Sequence, residues 1–399
     1  MLRVCFPFVG DGIGGSHISA LALIRELPRF GIKPLVVVHQ DGPLASFLKE
    51  ADVSFRLLRW SKFARANAAS YGEDKRLLKA ARWRFAWYLR RNRANIVHSN
   101  DIRIGCTWLA SAALGGARFV WHQRTPGSKH VLNCFVTRAD IILCPSMFLR
   151  DRIIGSVTIG FLKIEHGWSR ILQVNNPITL SPADRLEPMS EEGHPRIGFV
   201  ANEWPRKRPE FFLATAARVL DTFPNAEFLI AGAFSDTTRR ALLAPWPDAL
   251  TSRVKFLGFV KDRQLLFQHL DLLMAPAVDE GFGRTLVEAM LAGVPVVAAE
   301  SGGHREIIDH GRTGLLVPPD DAEAFAAAIA ALLRNSSLRE SLVHAAKIKT
   351  SVRYDASAID RQVADIYRAL PPFGIVEQLR RMRSDSRWLT TEEGQPLWP

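Results

Sequence analysis

The stretch that decides the fold runs from Ala275 to Asp321 and reads APAVDEGFGRTLVEAMLAGVPVVAAESGGHREIIDHGRTGLLVPPDD. It holds short apolar runs rich in Val and Ala, several Gly-rich turns, and a segment from Arg284 to Ala292 that reads as a helix. Strand, turn and helix in this alternation are typical of α/β proteins with a parallel sheet. The stretch therefore predicts part of a doubly wound sheet.

The same alternation continues through the chain in two series. Predicted strands of the first series are Arg3–Val9, Leu35–His39, Ile96–His98, Phe119–His122 and Ile141–Cys144, with a helix over His17–Phe30. Those of the second are Arg196–Val200, Glu227–Ala231, Val254–Leu257, Leu272–Ala275, Val294–Ala298 and Gly314–Val317, with helices over Phe211–Phe223, Arg284–Ala292 and Asp321–Arg334. We predict two tandem Rossmann-like domains, doubly wound and facing across a cleft.

Asn175-Asn176-Pro177 and a Pro/Glu/Ser-rich segment interrupt both series, which indicates the domain boundary. The predicted limits are an N-terminal domain at 1–180, a linker at 181–195 and a C-terminal domain at 196–354. Residues 355–399 carry helix-like segments, Ser357–Ala369 and Phe373–Met382, which we expect to brace back on the N-terminal domain.

Composition excludes several classes of protein. With 399 residues, 47% hydrophobic and 23% charged, the chain is neither disordered nor collagen-like nor a small disulfide scaffold. Its four cysteines have no CxxC spacing, so neither a disulfide framework nor a zinc site is indicated. No leader and no membrane span are predicted, and a cytoplasmic protein is expected.

The net charge of +12 is unevenly distributed. Residues 1–180 contain 26 Lys and Arg against 11 Asp and Glu, a net +15, whereas the remainder has 26 against 29, a net −3. An asymmetry of this size indicates that the N-terminal domain meets an anionic partner. We expect peripheral contact with anionic lipid at the inner membrane face, or an anionic acceptor.

Much of this excess lies in Arg56–Arg93, which has twelve Lys and Arg against Glu73 and Asp74. A helix is predicted over Glu73–Arg93, with one apolar face formed by Leu78, Ala81, Phe85 and Leu89. The residues expected to meet a membrane or acceptor are Arg82, Trp83, Trp87, Arg90 and Arg91. A helix with a merely solvated basic face is the alternative, and nucleic-acid binding is not indicated because no recognition motif is present.

A Gly-rich turn follows the first predicted strand. Gly10, Gly12 and Gly15 match GxGxxG, where backbone amides and a helix start can approach a phosphate closely. A dinucleotide fold would use Asp41 for the ribose, but Asp41 comes late and lies in a turn. We favour a phosphate-facing or acceptor-facing loop at Gly14-Gly15; a tight turn without a ligand is the alternative.

Two carboxylates flank a predicted helix start in the stretch quoted first. Glu280 ends the loop after an apolar strand, the Gly281-Phe282-Gly283 turn follows, and Glu288 lies on the helix. A helix N-terminus lined by approachable amides suits a diphosphate, and carboxylates beside it can accept hydrogen bonds from sugar hydroxyls.

This block resembles the donor-binding signature of family 4 glycosyltransferases. In that family a Glu, seven residues and a second Glu precede an apolar strand, a Gly-Gly turn and a Gly-Leu-Leu-Val strand. The corresponding positions in this chain are Glu280, Glu288, Pro295–Ala298, Gly302-Gly303 and Gly314–Val317. The resemblance implies the GT-B fold, transfer of a sugar from a nucleotide donor with retention of configuration, no cofactor and no essential metal.

The resemblance also implies roles for single residues. His122 and Glu280 are the predicted catalytic residues, with Glu280 on sugar hydroxyls, Glu288 on the ribose, and Arg206 and Lys207 on the diphosphate. The remaining predicted donor-binding residues are Gly14, Gly15, Phe282, Gly283, Arg284 and Thr285. Because this chain has Phe199 where the family often has Arg, Lys207 is favoured over Arg206 as the matching cation. Arg124 is either a further cation or part of a surface salt bridge.

The predicted function is a retaining glycosyltransferase that uses a UDP- or GDP-sugar and a glycan or lipid-linked acceptor, in cell-surface polysaccharide or glycolipid synthesis. Three alternatives remain open at this point: a nucleotide-sugar 2-epimerase, a dinucleotide-dependent oxidoreductase, and a silent subunit that binds the nucleotide sugar without turnover.

Overall fold

The computed structural model describes residues 1–61, 63, 71–126, 136, 138–156, 170–180 and 194–373, and of residues 71–80 and 156 only the backbone. The chain divides into two compact units, Met1–Pro177 with the C-terminal segment from Ser357, and Ile178–Ala356. Of the predicted linker 181–195, all but residues 194 and 195 lie outside the described residues. The predicted segment Phe373–Met382 lies outside them beyond Phe373, and so does Cys134.

The first unit is built on a seven-stranded parallel sheet. Its strands are β1 (Leu2–Phe8), β2 (Ile32–Val38), β3 (Phe55–Leu57), β4 (Ile96–Ser99), β5 (Arg118–His122), β6 (Ile141–Cys144) and β7 (Ile171–Gln173). Their order across the sheet is β3-β2-β1-β4-β5-β6-β7. Its helices are α1 (Gly15–Glu26), α2 (Pro43–Glu50), α3 (Tyr71–Arg91), α4 (Ile102–Gly115) and α5 (Met147–Ser156).

The second unit has a six-stranded parallel sheet in the order β10-β9-β8-β11-β12-β13. Its strands are β8 (Arg196–Val200), β9 (Glu227–Ala231), β10 (Val254–Gly258), β11 (Leu272–Ala275), β12 (Val296–Ala299) and β13 (Leu315–Val317). Its helices are α6 (Pro209–Thr222), α7 (Asp236–Leu243), α8 (Asp248–Thr251), α9 (Arg263–Gln268), α10 (Arg284–Leu291), α11 (His304–Ile307), α12 (Ala322–Arg334) and α13 (Ser336–Arg353). The prediction of two doubly wound Rossmann-like sheets is confirmed.

Each sheet is buried on both faces, which explains why its strands are apolar at nearly every position. In β1, Phe6 joins one hydrophobic cluster while its neighbour Cys5 joins a second cluster on the other face. In the second unit, Phe199 and Val200 are divided between two clusters in the same way. Successive strand residues point to opposite faces, so an unbroken apolar run fills both cores.

The last described helix, α14 (Ala356–Ala369), packs in the first unit although it follows the second unit in sequence. Ile359, Val363 and Tyr367 are buried in the same cluster as Phe6. Its apolar stripe, repeated at intervals of three or four residues, accounts for this packing.

Several element ends differ from those predicted. The first helix stops at Glu26 and continues as a 3-10 turn over Leu27–Phe30, because Pro28 has no N–H for an α-helical hydrogen bond. Helix α3 ends at Arg91, and Arg93 beyond it has a φ of 50°. None of the described helices is long and apolar enough to cross a membrane.

Candidate functional site

A pocket in the second unit opens at the carboxyl ends of β8 and β11. These strands are neighbours, but β9 follows β8 on one side of the sheet and β11 lies on the other. At such a switch point the loops diverge, which leaves a crevice where α/β proteins bind ligands. The residues lining the pocket include Val200, Lys207, Ala275, Glu280, Thr285 and His304.

A basic turn brings two cations to this pocket. The 3-10 turn Pro205–Lys207 follows β8 and presents Arg206 and Lys207 toward the loop after β11. Arg206 Nη1 lies 2.7 Å and Lys207 Nζ 2.6 Å from the same Oε2 atom of Glu280. The backbone joins the two segments as well, since the Val278 N–H donates to the Arg206 carbonyl at 3.2 Å.

Glu280 is a buried carboxylate whose charge the two cations stabilise. Burial alone raises the pKa of a carboxyl group, but the charges of Lys207 and Arg206 outweigh it and lower the pKa of Glu280 to about 2. Two cations against one carboxylate leave a net positive charge at the pocket. An anionic diphosphate fits this charge, whereas a cationic ligand does not.

A Gly-Gly turn packs against the loop that holds Glu280. The Gly303 N–H donates to the Glu280 carbonyl at 2.8 Å. Gly302 has a φ of 53°, and a Cβ atom there would lie 2.6 Å from the Glu280 carbonyl oxygen. Only a glycine accepts both this conformation and this close approach, so the turn sets the position of the Glu280 loop.

Helix α10 begins beside Glu280 with Gly283 as its N-cap, at a φ of 103°. Glu288, on its second turn, is buried, and its Oε1 accepts a hydrogen bond from Arg284 Nε at 2.6 Å. Its other oxygen, Oε2, finds no partner among the described residues. A buried carboxylate oxygen without a donor is expensive, which makes Oε2 a candidate acceptor for a ligand hydroxyl.

Most of the predicted donor-binding residues of this unit lie together. Some present their side chains to the pocket, whereas others present only their backbone. Lys207, Glu280, Gly283 and Thr285 line the pocket. Phe282 does not present its ring, which is buried against Tyr354 at a centroid distance of 5.4 Å, so only its backbone is available. Arg284 is engaged with Glu288.

His304 was not predicted as a site residue. It follows the Gly-Gly turn, is buried, and lines the pocket. Its Nδ1 lies 3.1 Å from the Ala299 carbonyl, which can only accept, so Nδ1 carries the proton. Burial lowers the pKa of His304 to about 4 despite the nearby charge of Glu280. Its place directly after the Gly-Gly turn was a weak signal in the sequence.

The predicted catalytic and donor-binding residues of the first unit lie at the carboxyl edge of the sheet of that unit. His122 ends β5 and is buried, and Gly14 and Gly15 begin α1. Arg124 is buried too, so the alternative of a surface salt bridge is wrong. Asp41, the ribose residue of the dinucleotide alternative, is half exposed and lies 3.7 Å from Lys49.

Helix α3 presents two tryptophans to solvent. Trp83 and Trp87 are 64% and 62% exposed, and the Arg91 guanidinium lies 5.4 Å from the centre of the Trp87 ring. The opposite face is buried as predicted, through Ala81, Phe85 and Leu89, whereas the side chains of Leu78 and Lys79 lie outside the described residues. Arg90 and Arg91 are exposed and Arg82 is half buried.

Comparison with known proteins identifies the family. The model described as "Glycosyltransferase Family 4" matches residues 13–159, and the one described as "Glycosyl transferases group 1" matches residues 194–335. The chain belongs to the family 4 glycosyltransferases. The second match contains Arg206, Lys207, Glu280 and Glu288, and thus the whole cluster of charges described above.

Two curated relatives match part of this chain. The phosphatidyl-myo-inositol mannosyltransferase of Mycobacterium leprae is 32% identical over 239 residues, which are 56% of this chain and 61% of the relative. The D-inositol 3-phosphate glycosyltransferase of Corynebacterium urealyticum is 31% identical over 183 residues, 44% of this chain and 43% of the relative. The chain thus spans less than two thirds of these relatives.

A solved structure supports the fold over nearly the whole chain. The crystal structure of Anabaena HepE in complex with UDP and glucose has a TM-score of 0.75 at 20% identity, covering 93% of this chain and all of that chain. This family 4 glycosyltransferase therefore has the GT-B fold, as predicted. Among its described residues, no group of three or more His, Cys, Asp or Glu side chains could hold a metal ion.

Proposed function

We propose that this chain is a retaining glycosyltransferase that moves a sugar from a nucleotide sugar to a glycan or lipid-linked acceptor. The observation that carries the proposal is the cluster of Arg206, Lys207 and Glu280, with the unpartnered Glu288 Oε2 nearby on α10. The family relationship adds support, as do the names of the inositol-lipid and inositol-phosphate relatives and the UDP and glucose bound to HepE.

The cluster suits a nucleoside diphosphate leaving group. When the bond from the sugar anomeric carbon to phosphate breaks, the departing diphosphate gains negative charge. Arg206 and Lys207 are fixed near that charge before the reaction, so no reorganisation is needed to stabilise it. Glu288 Oε2 accepts a ribose hydroxyl in this proposal, and Glu280 accepts hydroxyls of the sugar.

The proton balance favours the leaving phosphate as the base. Glu280, with a pKa of about 2, is a weak base. In the proposed front-face reaction, the acceptor oxygen bonds to the anomeric carbon on the side from which the phosphate leaves. The acceptor proton passes to a phosphate oxygen, and no covalent enzyme intermediate or metal ion takes part.

The proposal of a lipid-linked acceptor rests on features of the first unit. Its net charge of +15 and the exposed Trp83 and Trp87 on α3 suit an anionic glycolipid at a membrane surface. A lipid-linked acceptor would then be reached by peripheral contact, in cell-surface polysaccharide or glycolipid synthesis.

Donor binding is the test. A thermal-shift screen of UDP- and GDP-sugars identifies the base, because a ligand that binds only the folded state stabilises it. With the best donor, Lys207→Ala and Glu288→Ala should each weaken binding by about tenfold or more, since each removes a partner that is charged. Lys255→Ala is the matched control, because Lys255 of the same unit pairs with Glu227 away from the pocket.

Unchanged affinity in both pocket variants would overturn the donor site. Turnover to a released 2-epimer without an acceptor would instead identify an epimerase.

A further inference from the structure

Arg124 is a buried arginine, two residues beyond His122. Its guanidinium contacts three acceptors of the first unit. Nε donates to Asn100 Oδ1 at 3.0 Å, Nη1 donates to Asn176 Oδ1, and Nη2 lies 3.1 Å from His122 Nδ1. Asn100 directly follows β4, and His122 is the last residue of β5. Asn176 lies in the segment after β7, next to Pro177.

Guanidinium chemistry determines what each partner does. An arginine donates five hydrogen bonds and accepts none. His122 Nδ1 must therefore accept, so the neutral ring carries its proton on Nε2. By the same argument Asn100 turns its oxygen toward Arg124, which leaves its Nδ2 amide as a donor. Burial, with the charge of Arg124 and the proximity of His98, holds the pKa of His122 well below its ordinary value.

Both groups fixed in this way also lack a hydrogen-bond partner among the described residues, as do the His98 Nε2 and Trp121 Nε1 atoms on the same two strands. His122 Nε2 and Asn100 Nδ2 are buried and make no hydrogen bond within the described part of the chain. They follow neighbouring strands, since β4 and β5 pair with Ser99 opposite Trp121, and Asn100 and His122 are the next residues. Buried donors without acceptors are expensive, so their pairing at one strand edge points to a ligand.

We propose that Arg124 is a positioning residue that holds His122 and Asn100 as two hydrogen-bond donors for an oxygen of the substrate. This inference rests on the proposed glycosyltransferase function and deepens it. The chemical group that matches two such donors is a hydrogen-bond acceptor, either a sugar hydroxyl oxygen or a phosphate oxygen. His122 then acts as a fixed donor and not as a general base, because its only free nitrogen already carries a proton.

The tautomer of His122 can be measured in the ligand-free protein. Nitrogen-15 NMR of ring-labelled histidine distinguishes the Nε2–H from the Nδ1–H form, and His122→Gln assigns the signal. We expect the neutral Nε2–H form in the wild type at neutral pH and a mixture of tautomers in Arg124→Met. Arg118→Met is the control, because Arg118, at the start of the same strand, pairs with Asp140 and not with His122.

Arg124→Lys separates charge from geometry. Lysine keeps the positive charge but not the planar fork that reaches three acceptors, so the tautomer should again be mixed. A wild-type His122 that is charged or in the Nδ1–H form would overturn the proposal. Retention of the Nε2–H form in Arg124→Met would overturn it too. Neither measurement requires a substrate, so both stand apart from the test of the proposed function.

Kinetics then show whether Arg124 acts through His122. Loss of one preorganised donor should lower kcat/KM by about tenfold or more in His122→Ala, and Arg124→Met should lower it by about tenfold. In the double variant the Arg124 substitution should cost clearly less than it does alone, because one of its two targets, His122, is gone. Two losses that multiply would show that Arg124 has a separate role and would overturn the proposal.

Discussion

Glu280 shows at the scale of one residue how the fold prepares a charged site. The residue is 8% exposed, and water cannot stabilise a charge that is buried to this degree. Arg206 and Lys207 replace that solvation at hydrogen-bonding distance. Both cations are thereby held in place by contacts within the protein.

The pH dependence of stability should report this arrangement. The unfolded carboxyl group titrates near pH 4.3, whereas the folded group has a pKa of about 2. The unfolded state therefore binds the proton first, and stability is lost as the pH falls from about 4.5 towards 2. The difference corresponds to about 3 kcal/mol of unfolding free energy at neutral pH.

Glu280→Gln tests this by urea unfolding at several pH values. The variant should be less stable by about 3 kcal/mol near neutral pH, because two cations lose their buried partner, and it should lose less stability on acidification. Glu227→Gln is the control, since its pair with the exposed Lys255 should change stability by less than about 1 kcal/mol. Equal acid profiles for Glu280→Gln and the wild type would contradict the prediction.

The sequence identified the charged residues of the second unit but not their contacts. Glu280 was singled out from its Gly-rich turn, and Arg206 and Lys207 from the family resemblance, yet their ion pairs join segments more than 70 residues apart. Such contacts depend on the order of the strands in the sheet, and the local periodicity of the sequence does not predict that order. The partners of Arg124 could not be predicted for the same reason, since they lie on different segments of the sheet edge. His304 was missed because a single histidine forms no recognisable pattern.

At the scale of elements, burial determined what could be predicted. Strands with unbroken apolar runs, such as β8 and β11, were predicted within a residue of their observed ends. The strands β3 and β7 were missed because each has three residues and only partial burial. Short strands make too few buried contacts to impose a pattern on the sequence.

The Gly302-Gly303 turn supports a prediction about an element. Gly302→Ala adds a Cβ atom that meets backbone atoms of Glu280 at 2.6 Å and 2.8 Å, so the loop must move. We expect at least about tenfold weaker nucleotide-sugar binding, because a displaced carboxylate disturbs both cations. Isothermal titration with the donor found in the screen measures the effect.

Gly311→Ala is the control for backbone strain. Gly311 has a φ of 71°, similar in sign to that of Gly302, but an added Cβ atom there meets nothing within 4 Å. Its substitution should lower stability by about 1 kcal/mol through backbone strain and leave donor affinity unchanged. Equal effects of the two variants on affinity would show that the close approach at Gly302 does not matter.

At the scale of the whole molecule, charge is divided between the two parts of the sequence. The net +15 of residues 1–180 contrasts with the net −3 of the remainder. Within the first unit, α3 combines exposed arginines with exposed Trp83 and Trp87, while its inner face is anchored by Phe85 stacked on Trp108 at 4.5 Å. The helix is thus anchored to the core of the first unit through its inner face.

That surface should bind vesicles that contain anionic lipid. Each basic residue near such a membrane contributes about 1 kcal/mol, and the attraction weakens as the Debye length shrinks from about 10 Å at 0.1 M salt to about 3 Å at 1 M. Replacing both Trp83 and Trp87 with Ser should lower vesicle co-sedimentation by about tenfold, because apolar area is lost as well. Trp204→Ser is the matched control, since Trp204 is 62% exposed but lies in the second unit. Vesicle binding that does not depend on anionic lipid and salt would contradict the prediction, and so would an equal loss of binding in the control. In either case α3 would be a helix with a solvated basic face.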